Sequence, residues 1–301
     1  MCSSPYALMG SQNWIMCPAG SRFEAALAPA SADSEGDSES MTKASESDAA
    51  SRSEPEYLNR PEHQVPAAKR FYQKAHYEPR DGVFCLLLDG KPALTPAKNV
   101  VAVPSEALAK AIAKEWEQQG EQIDPSAMPL TKLANSALDH VNDRRQEVID
   151  DIVKYAGSDL ICYMAEDPQE LMMKQMATWG PVLDWLRQGL GANFEVAYGV
   201  NHVTQSEQSL GQVRLVLQDL DAFSLTSLHT MTTVMGSALL TLAHIAGMYD
   251  VTSIWQSAHI DEDWQMSKWG KDAEVLARRE QRWQEMQAAS RFLDLLRFEP
   301  A

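Results

Sequence analysis

The sequence has few basic residues and no long apolar run, and each shortage excludes a class of partner. Asp and Glu outnumber Lys and Arg by 42 to 26 among the 301 residues, which gives a formal net charge of −16. A surface of this sign cannot neutralise a row of phosphates, so we expect no nucleic-acid partner. No stretch reaches the roughly 18 apolar residues that a membrane-spanning helix requires, so we expect no membrane insertion.

Paired cysteines and nucleophile motifs are also missing. The four cysteines include no CxxC pair and no spacing typical of a disulfide framework, which is usual in a reducing compartment. The chain contains neither a GxSxG motif nor a GxxxxGK phosphate loop, so an esterase-like enzyme and a phosphate-loop ATPase are both unsupported. The first residues carry no secretory signal and no Arg-rich transit peptide, and we therefore expect a cytoplasmic protein.

The N-terminal part of the chain is acidic and poor in apolar residues. Between Glu24 and Glu62, ten acidic residues stand against three basic ones, with Ser and Ala filling the space between them. Such a segment buries too little apolar surface to offset its ordering entropy. We therefore predict a disordered acidic tail over residues 1–64.

The rest of the chain predicts an α+β fold, with a small N-terminal β-rich domain followed by a larger α-helical domain. Asp-Gly turns at 81–82 and 89–90 flank the apolar run VFCLLL and predict a β-rich domain over residues 65–103. Apolar residues then recur every three or four positions, which predicts a mainly helical domain over residues 104–301. A run from 222 to 246 is apolar nearly all round, so we expect one central helix there.

The sequence WQSAHIDEDWQMSKWG, residues 255–270, carries an unusual mixture of aromatic and acidic residues. If this stretch is one helix, a single face carries Trp255, His259, Glu262, Met266 and Trp269. Ile260 and Trp264 make an adjacent stripe, so an arc wide enough to be buried carries three tryptophans and one acid. That arc could meet the protein's own core, a metal ion, a small substrate or another protein.

Two kinds of chemistry can be built on this stretch. His259 and Asp263 are four residues apart and could bind a divalent ion, but no second cluster supplies further ligands, so we expect no metal and no cofactor. Glu262, among tryptophans, and Glu115, beside Trp116, could form a carboxylate pair with separated pKa values. The sequence does not bring them together, and a solvated Glu115 is favoured. An acid/base or metal-dependent enzyme that uses the His259, Glu262 and Asp263 cluster stays as the alternative function.

A protein-binding surface is a further interpretation of the same residues. Tryptophan anchors carry much of the binding energy in interfaces, and one charged group can fix the register of the partner. A protein core with one paired acid gives the same pattern, so periodicity alone leaves both interpretations open.

Four phrases between Lys69 and Leu296 are similar to those of a known family. They are RFYQKA with the hairpin DGKPALTP, EWEQQGEQIDPSAMPLT followed by ANSALD, YAGSDLICY, and AHIDEDWQMSKWG. The chain resembles the assembly chaperones for the alpha subunit of the ATP synthase catalytic head, found in mitochondria and alphaproteobacteria. The resemblance implies a non-enzymatic role, in which the chaperone binds the unassembled alpha subunit and shields the interface later offered to the beta subunit.

The resemblance also implies which residues bind the partner. The acidic motif of the family falls on residues 261–263, and the Trp of its EWxxQ phrase falls on residue 116. The residues that we expect to bind the partner are Glu262, Asp261, Asp263, Trp264, Trp269 and Trp116. The acidic tail and the missing transit peptide depart from the family pattern and favour a bacterial cytoplasmic member over one from the mitochondrial matrix. We expect a monomer without cofactor or metal.

Overall fold

The computed structural model describes residues 68–297 and two short strands near the N-terminus, β1 (Ile15–Met16) and β2 (Arg22–Phe23), which pair antiparallel. Apart from these strands, the predicted disordered tail over residues 1–64 lies outside the described residues. Its disorder therefore stays a prediction.

A four-stranded sheet opens the continuous part of the structure. Its strands are β3 (Ala75–Arg80), β4 (Val83–Leu88), β5 (Lys91–Pro92) and β6 (Ala102–Val103). β4 is the central strand and pairs antiparallel with the other three. The turn between β3 and β4 has positive φ at both Asp81 (50°) and Gly82 (83°), the conformation that favours Asp-Gly in a two-residue hairpin. The last four residues of VFCLLL are buried, as expected for a strand covered on both faces.

Ten α-helices follow the sheet within residues 68–297. They are α1 (Glu106–Glu117), α2 (Pro129–Ser136), α3 (Arg145–Gly157), α4 (Gln169–Gly189), α5 (Glu207–Gln218), α6 (Ala222–Met235), α7 (Ala238–Ile245), α8 (Val251–Ala258), α9 (Ile260–Trp269) and α10 (Ala273–Arg297). Two short 3-10 helices (Pro125–Ala127, Leu160–Cys162), one π-helical turn (Ala137–Val141) and a parallel pair of strands, β7 (Tyr163–Met164) and β8 (Ala197–Tyr198), complete the described elements. The predicted α+β class is confirmed.

The predicted single helix over 222–246 is two helices. Gly236 ends α6 with φ at 74°, a conformation that a residue with a Cβ rarely adopts, and Ser237 caps α7 by accepting a hydrogen bond from the Leu240 amide at 3.0 Å. The hydroxyl of Ser237 also donates to the buried carboxyl of Asp159 at 2.6 Å. α6 is still central, because it packs against α3 and α10. Uniform apolarity indicated burial correctly but could not reveal the change of direction.

One apolar core runs from the sheet into the helices. Leu86 of β4, Leu108 and Ile112 of α1, and Phe292 of α10 belong to the same cluster of buried side chains. The predicted boundary between residues 103 and 104 is therefore a change of secondary structure along a continuous core, and the division into two domains stays a prediction. None of the described helices combines the length and the apolarity that a membrane crossing demands.

Candidate functional site

The stretch from Trp255 to Gly270 folds as two helices rather than one. The backbone leaves the helical region at His259, where φ is −113° and ψ is 19°, so α8 ends and α9 begins at this residue. The imidazole ring packs against Trp255 in a tilted arrangement, with 3.8 Å between centroids and 39° between planes, and its Nδ1 donates to the Trp255 carbonyl at 2.7 Å. The prediction of one continuous face is therefore wrong. Trp255 is 6% exposed, whereas Trp269 is 79% exposed.

α9 carries the acidic motif, and none of its residues is buried. The carboxylate of Asp261 accepts a hydrogen bond from Gln175 Nε2 of α4 at 2.6 Å, and Asp263 accepts from the Arg279 guanidinium of α10 at 2.5 Å. Partial desolvation of the carboxyl raises the pKa of Asp261, and the Gln175 hydrogen bond partly offsets this effect. Two of the three acids are thus bound to neighbouring helices.

Glu262 is the acid of the motif that is least constrained by its partners. Its side chain is 42% exposed, and its Oε1 lies 3.6 Å from the Arg282 guanidinium. That guanidinium already donates to the Val234 carbonyl at the end of α6, at 2.6 and 3.2 Å. Glu262 therefore reaches solvent and is only loosely paired inside the protein.

The His259, Glu262 and Asp263 cluster is not assembled as a ligand set. His259 is 1% exposed, and burial is the main cause that lowers its pKa, so the ring is neutral at neutral pH. Its Nε2 lies 3.9 Å from Glu262 and has no hydrogen-bond partner. Asp263 points instead to Arg279. Within residues 68–297, no three His, Cys, Asp or Glu side chains are grouped so that they could hold a metal ion.

The predicted tryptophans lie in different environments. Trp264 is partly buried, with Lys268 Nζ 4.5 Å and Lys174 Nζ 5.8 Å from its ring centroid. Trp269 is almost fully exposed at the end of α9. Trp116 lies on α1 with its ring 5.5 Å from that of Tyr72, and its indole nitrogen is buried without a hydrogen-bond partner. The structure therefore places Trp116 beside the segment that leads into β3.

Glu115 is not the solvated residue that the sequence favoured. Its carboxylate accepts hydrogen bonds from the backbone amides of Leu130 and Thr131, both at 2.8 Å, and from the Thr131 hydroxyl at 2.7 Å. It therefore caps α2, and burial raises its pKa. In the same phrase, the side chain of Gln119 accepts from the Asp124 amide at 2.7 Å. The EWEQQGEQIDPSAMPLT phrase thus joins α1 to α2, and Glu115 faces α2 instead of forming a carboxylate pair with Glu262.

A groove of about 630 Å³ lies next to the acidic motif, between α8, α9 and α10. Its apolar lining comes from Trp255, Met266, Leu276 and Trp283. The rings of Trp255 and Trp283 lie 5.3 Å apart, so α8 and α10 meet through an aromatic contact. The sequence did not indicate Leu276 and Trp283 as site residues, because only tertiary packing brings α10 against α8 and α9.

Comparisons with known proteins agree with the fold. The family profile described as ATP12 chaperone protein matches residues 69–187. Atp12 from Paracoccus denitrificans, known from a crystal structure, is 38% identical in sequence to this chain. The two structures superpose with a TM-score of 0.73, and the match covers 76% of this chain and 98% of that one. The Atu1473 protein from Agrobacterium tumefaciens is 39% identical, with a TM-score of 0.74 and coverage of 80% and 94%.

A mitochondrial relative is more distant. The mitochondrial protein atp12 of Schizosaccharomyces pombe is 21% identical over 217 residues, which are 68% of this chain and 75% of that protein. In both bacterial matches, more than a third of the aligned residues are identical, and the alignment covers nearly the whole length of the solved chain. The chain therefore belongs to the ATP12 chaperone family.

Proposed function

We propose that this protein is a molecular chaperone for assembly of the ATP synthase catalytic head, and that it binds the unassembled alpha subunit. Membership of the ATP12 chaperone family supports the chaperone role. We propose further that it acts as a monomer, without enzymatic activity, cofactor or metal. The compartment would be the bacterial cytoplasm, or the mitochondrial matrix in a eukaryote.

The observation that carries the proposal is the juxtaposition of an aromatic groove with the partly exposed acids of α9. Trp255, Trp283, Met266 and Leu276 give the groove its apolar lining, and Asp263 also lines it. Glu262, with a side chain that is 42% exposed, lies on α9 outside that lining. Tryptophans in pockets are the usual energetic anchors of protein interfaces, and methionine adapts to irregular apolar partners. A groove of this composition suits an apolar segment of another protein.

The proposed binding surface consists of α9 and the groove. From the acidic motif and the helix that follows, it includes Asp261, Glu262, Asp263, Trp264 and Trp269. We leave Trp116 outside this surface, because its ring packs against Tyr72 and its indole nitrogen is buried.

The chemistry of an unassembled ring subunit fits such a surface. A subunit that awaits its neighbours exposes apolar interface, which promotes aggregation until it is covered. A chaperone that binds this interface withdraws it from aggregation by mass action and needs no nucleotide to do so. The net charge of −16 favours encounter with a basic partner.

Coexpression tests the proposal. The alpha subunit is produced alone, with this protein, and with a variant that carries Leu276→Asp in the groove. We expect the soluble fraction of the alpha subunit to rise with the native protein and to stay low with the variant. As a control, the beta subunit is coexpressed in the same three ways, which shows whether the protein solubilises aggregation-prone subunits without selectivity. The proposal is wrong if the native protein leaves the alpha subunit insoluble, or if it solubilises both subunits equally.

A further inference from the structure

Polar contacts at the first turn tie α9 to its neighbours. None of its ten residues is buried, and its apolar packing is confined to partly buried side chains, such as Ile260 against the core. Asp261 and Asp263 are two positions apart on the helix, so their side chains point roughly 200° apart around its axis. They consequently reach opposite neighbours, Gln175 on α4 and Arg279 on α10.

The partners of these two acids are themselves fixed. Gln175 is 1% exposed, and its Oε1 accepts a hydrogen bond from the Ala165 amide at 2.7 Å, which leaves its Nε2 to donate to Asp261. The Arg279 side chain is 16% exposed, whereas the Asp263 side chain that it contacts is 46% exposed. α9 is therefore tied on both sides to groups with little conformational freedom.

We propose that Asp261 and Asp263 are positioning residues, which hold α9 between α4 and α10 and leave Glu262 as the acid that meets the client. With α9 in this position, Asp263, paired with Arg279, and Met266 line the groove, and Glu262 reaches solvent outside that lining with a side chain that is 42% exposed. The inference deepens the proposed function and rests on it wherever client binding is the readout. It assigns different tasks to three neighbouring carboxylates that sequence alone treats as one motif.

A client-free measurement tests the positioning role. Hydrogen exchange of the amides in α9 is followed in the full-length protein and in Asp263→Ala and Arg279→Ala. Both variants remove the same contact, so we expect each to accelerate exchange in α9 by about tenfold, while α6 stays protected. The reversed pair, Asp263→Arg with Arg279→Asp, should return exchange to within about threefold of the native rate.

Asp184→Ala is the matched control for these variants. It removes an exposed ion pair with Arg187 within α4, at 2.6 Å, and Asp184 lies nine residues along that helix from Gln175. We expect this variant to leave exchange in α9 unchanged. The proposal is overturned if the α9 amides exchange at the native rate in both Asp263→Ala and Arg279→Ala.

Client binding separates positioning from direct contact. If Asp263 acts through Arg279, both single variants lose affinity for the alpha subunit by about tenfold, and the reversed pair recovers it. If Asp263 instead grips a cation of the client, Arg279→Ala binds normally and the reversed pair stays weak, and the inference is then wrong.

Asp261 offers an independent arm of the test. Asp261→Asn keeps an oxygen that accepts from Gln175, whereas Asp261→Ala does not, so we expect only the alanine variant to lose affinity and accelerate exchange. Equal loss of affinity in both variants would show that the negative charge itself is needed. If the native protein does not bind the alpha subunit at all, the proposed function fails, while the exchange experiment still decides the positioning role.

Discussion

Asp159 shows how one buried carboxyl fixes the local course of the chain. It is 0% exposed and accepts hydrogen bonds from the Ser237 hydroxyl at 2.6 Å and from the Leu239 amide at 2.9 Å, at the start of α7. Burial raises the pKa of Asp159 to about 6, against the opposing effect of these hydrogen bonds. The side chain therefore stabilises the junction between α6 and α7 and also makes stability depend on pH.

The pH dependence has a definite sign. The folded pKa of Asp159, about 6, lies above the usual aspartate value of 3.8, so the folded state binds more protons between these values and its stability falls as pH rises through that window. Replacement by asparagine removes this titration. The quantity to follow is the difference in unfolding free energy between the native protein and Asp159→Asn. We expect this difference to fall by up to about 3 kcal/mol as pH rises from 4 to 7. Urea denaturation at several pH values measures it, and a difference that does not vary with pH would contradict the assignment.

Glu262 is the single residue whose loss should affect the client most directly. Its exposed carboxylate is loosely paired with Arg282 at 3.6 Å, so a cationic side chain of the client can compete for it. We expect Glu262→Ala to weaken binding of the alpha subunit by about 2 kcal/mol, or roughly 30-fold, with unchanged thermal stability. Titration calorimetry measures the affinity. Glu274→Ala, which removes an exposed ion pair with Arg278 within α10, is the control, and native affinity in Glu262→Ala would refute a direct contact.

At the scale of elements, the contact between α1 and α2 depends on an acid that sequence treats as a surface residue. The carboxylate of Glu115 on α1 accepts hydrogen bonds from the backbone amides of Leu130 and Thr131 at the start of α2. It also accepts one from the hydroxyl of Thr131. α2 begins after Met128, whose side chain cannot cap a helix. The cap is therefore supplied by another helix, which couples the folding of the two.

Removal of this cap should destabilise the fold. Glu115→Ala leaves the Leu130 and Thr131 amides without their acceptor, so we expect a loss of about 2 kcal/mol in unfolding free energy at pH 7. Glu121→Ala changes an exposed acid just beyond α1 and should alter stability by less than about 0.5 kcal/mol. Chemical denaturation distinguishes the two. Similar stabilities for both variants would show that water replaces the carboxylate at the start of α2.

At the scale of the whole molecule, the three helices α8, α9 and α10 line one groove. α8 contributes a buried tryptophan, α9 a partly buried methionine, and α10 the half-exposed Leu276 and the partly buried Trp283. Because α10 also packs against the central α6, the groove stands on the main core of the protein. The same core continues into the sheet, so the proposed binding surface and the sheet share one scaffold.

A charge placed in the groove should abolish binding without unfolding the protein. Leu276 is 38% exposed and lines the groove, whereas its neighbour Val275 is 40% exposed and does not. We expect Leu276→Asp to lower affinity for the alpha subunit by at least about tenfold, and Val275→Asp to bind normally, since both substitutions add the same charge at similar exposure. Equal effects of the two variants on affinity would place the client elsewhere.

The sequence by itself determined the local elements. Asp-Gly pairs turn the chain because their backbones tolerate positive φ, as at Asp81 and Gly82. The run VFCLLL forms the covered strand β4, and the apolar periodicity after it forms helices. These features depend on contacts within a few residues, so local sequence is enough to specify them, and the family phrases add the type of protein.

Only the tertiary structure decided where the helices break and what each acid does. The helix break at His259 combines a tilted ring contact with Trp255 and a hydrogen bond to its backbone carbonyl, and neither changes the apolar period of the sequence. Glu115 meets α2, Asp261 meets α4, and Asp263 meets α10. A carboxylate accepts any donor within reach, and the donors within reach are set by the packing of distant segments, which a linear pattern of charge does not contain.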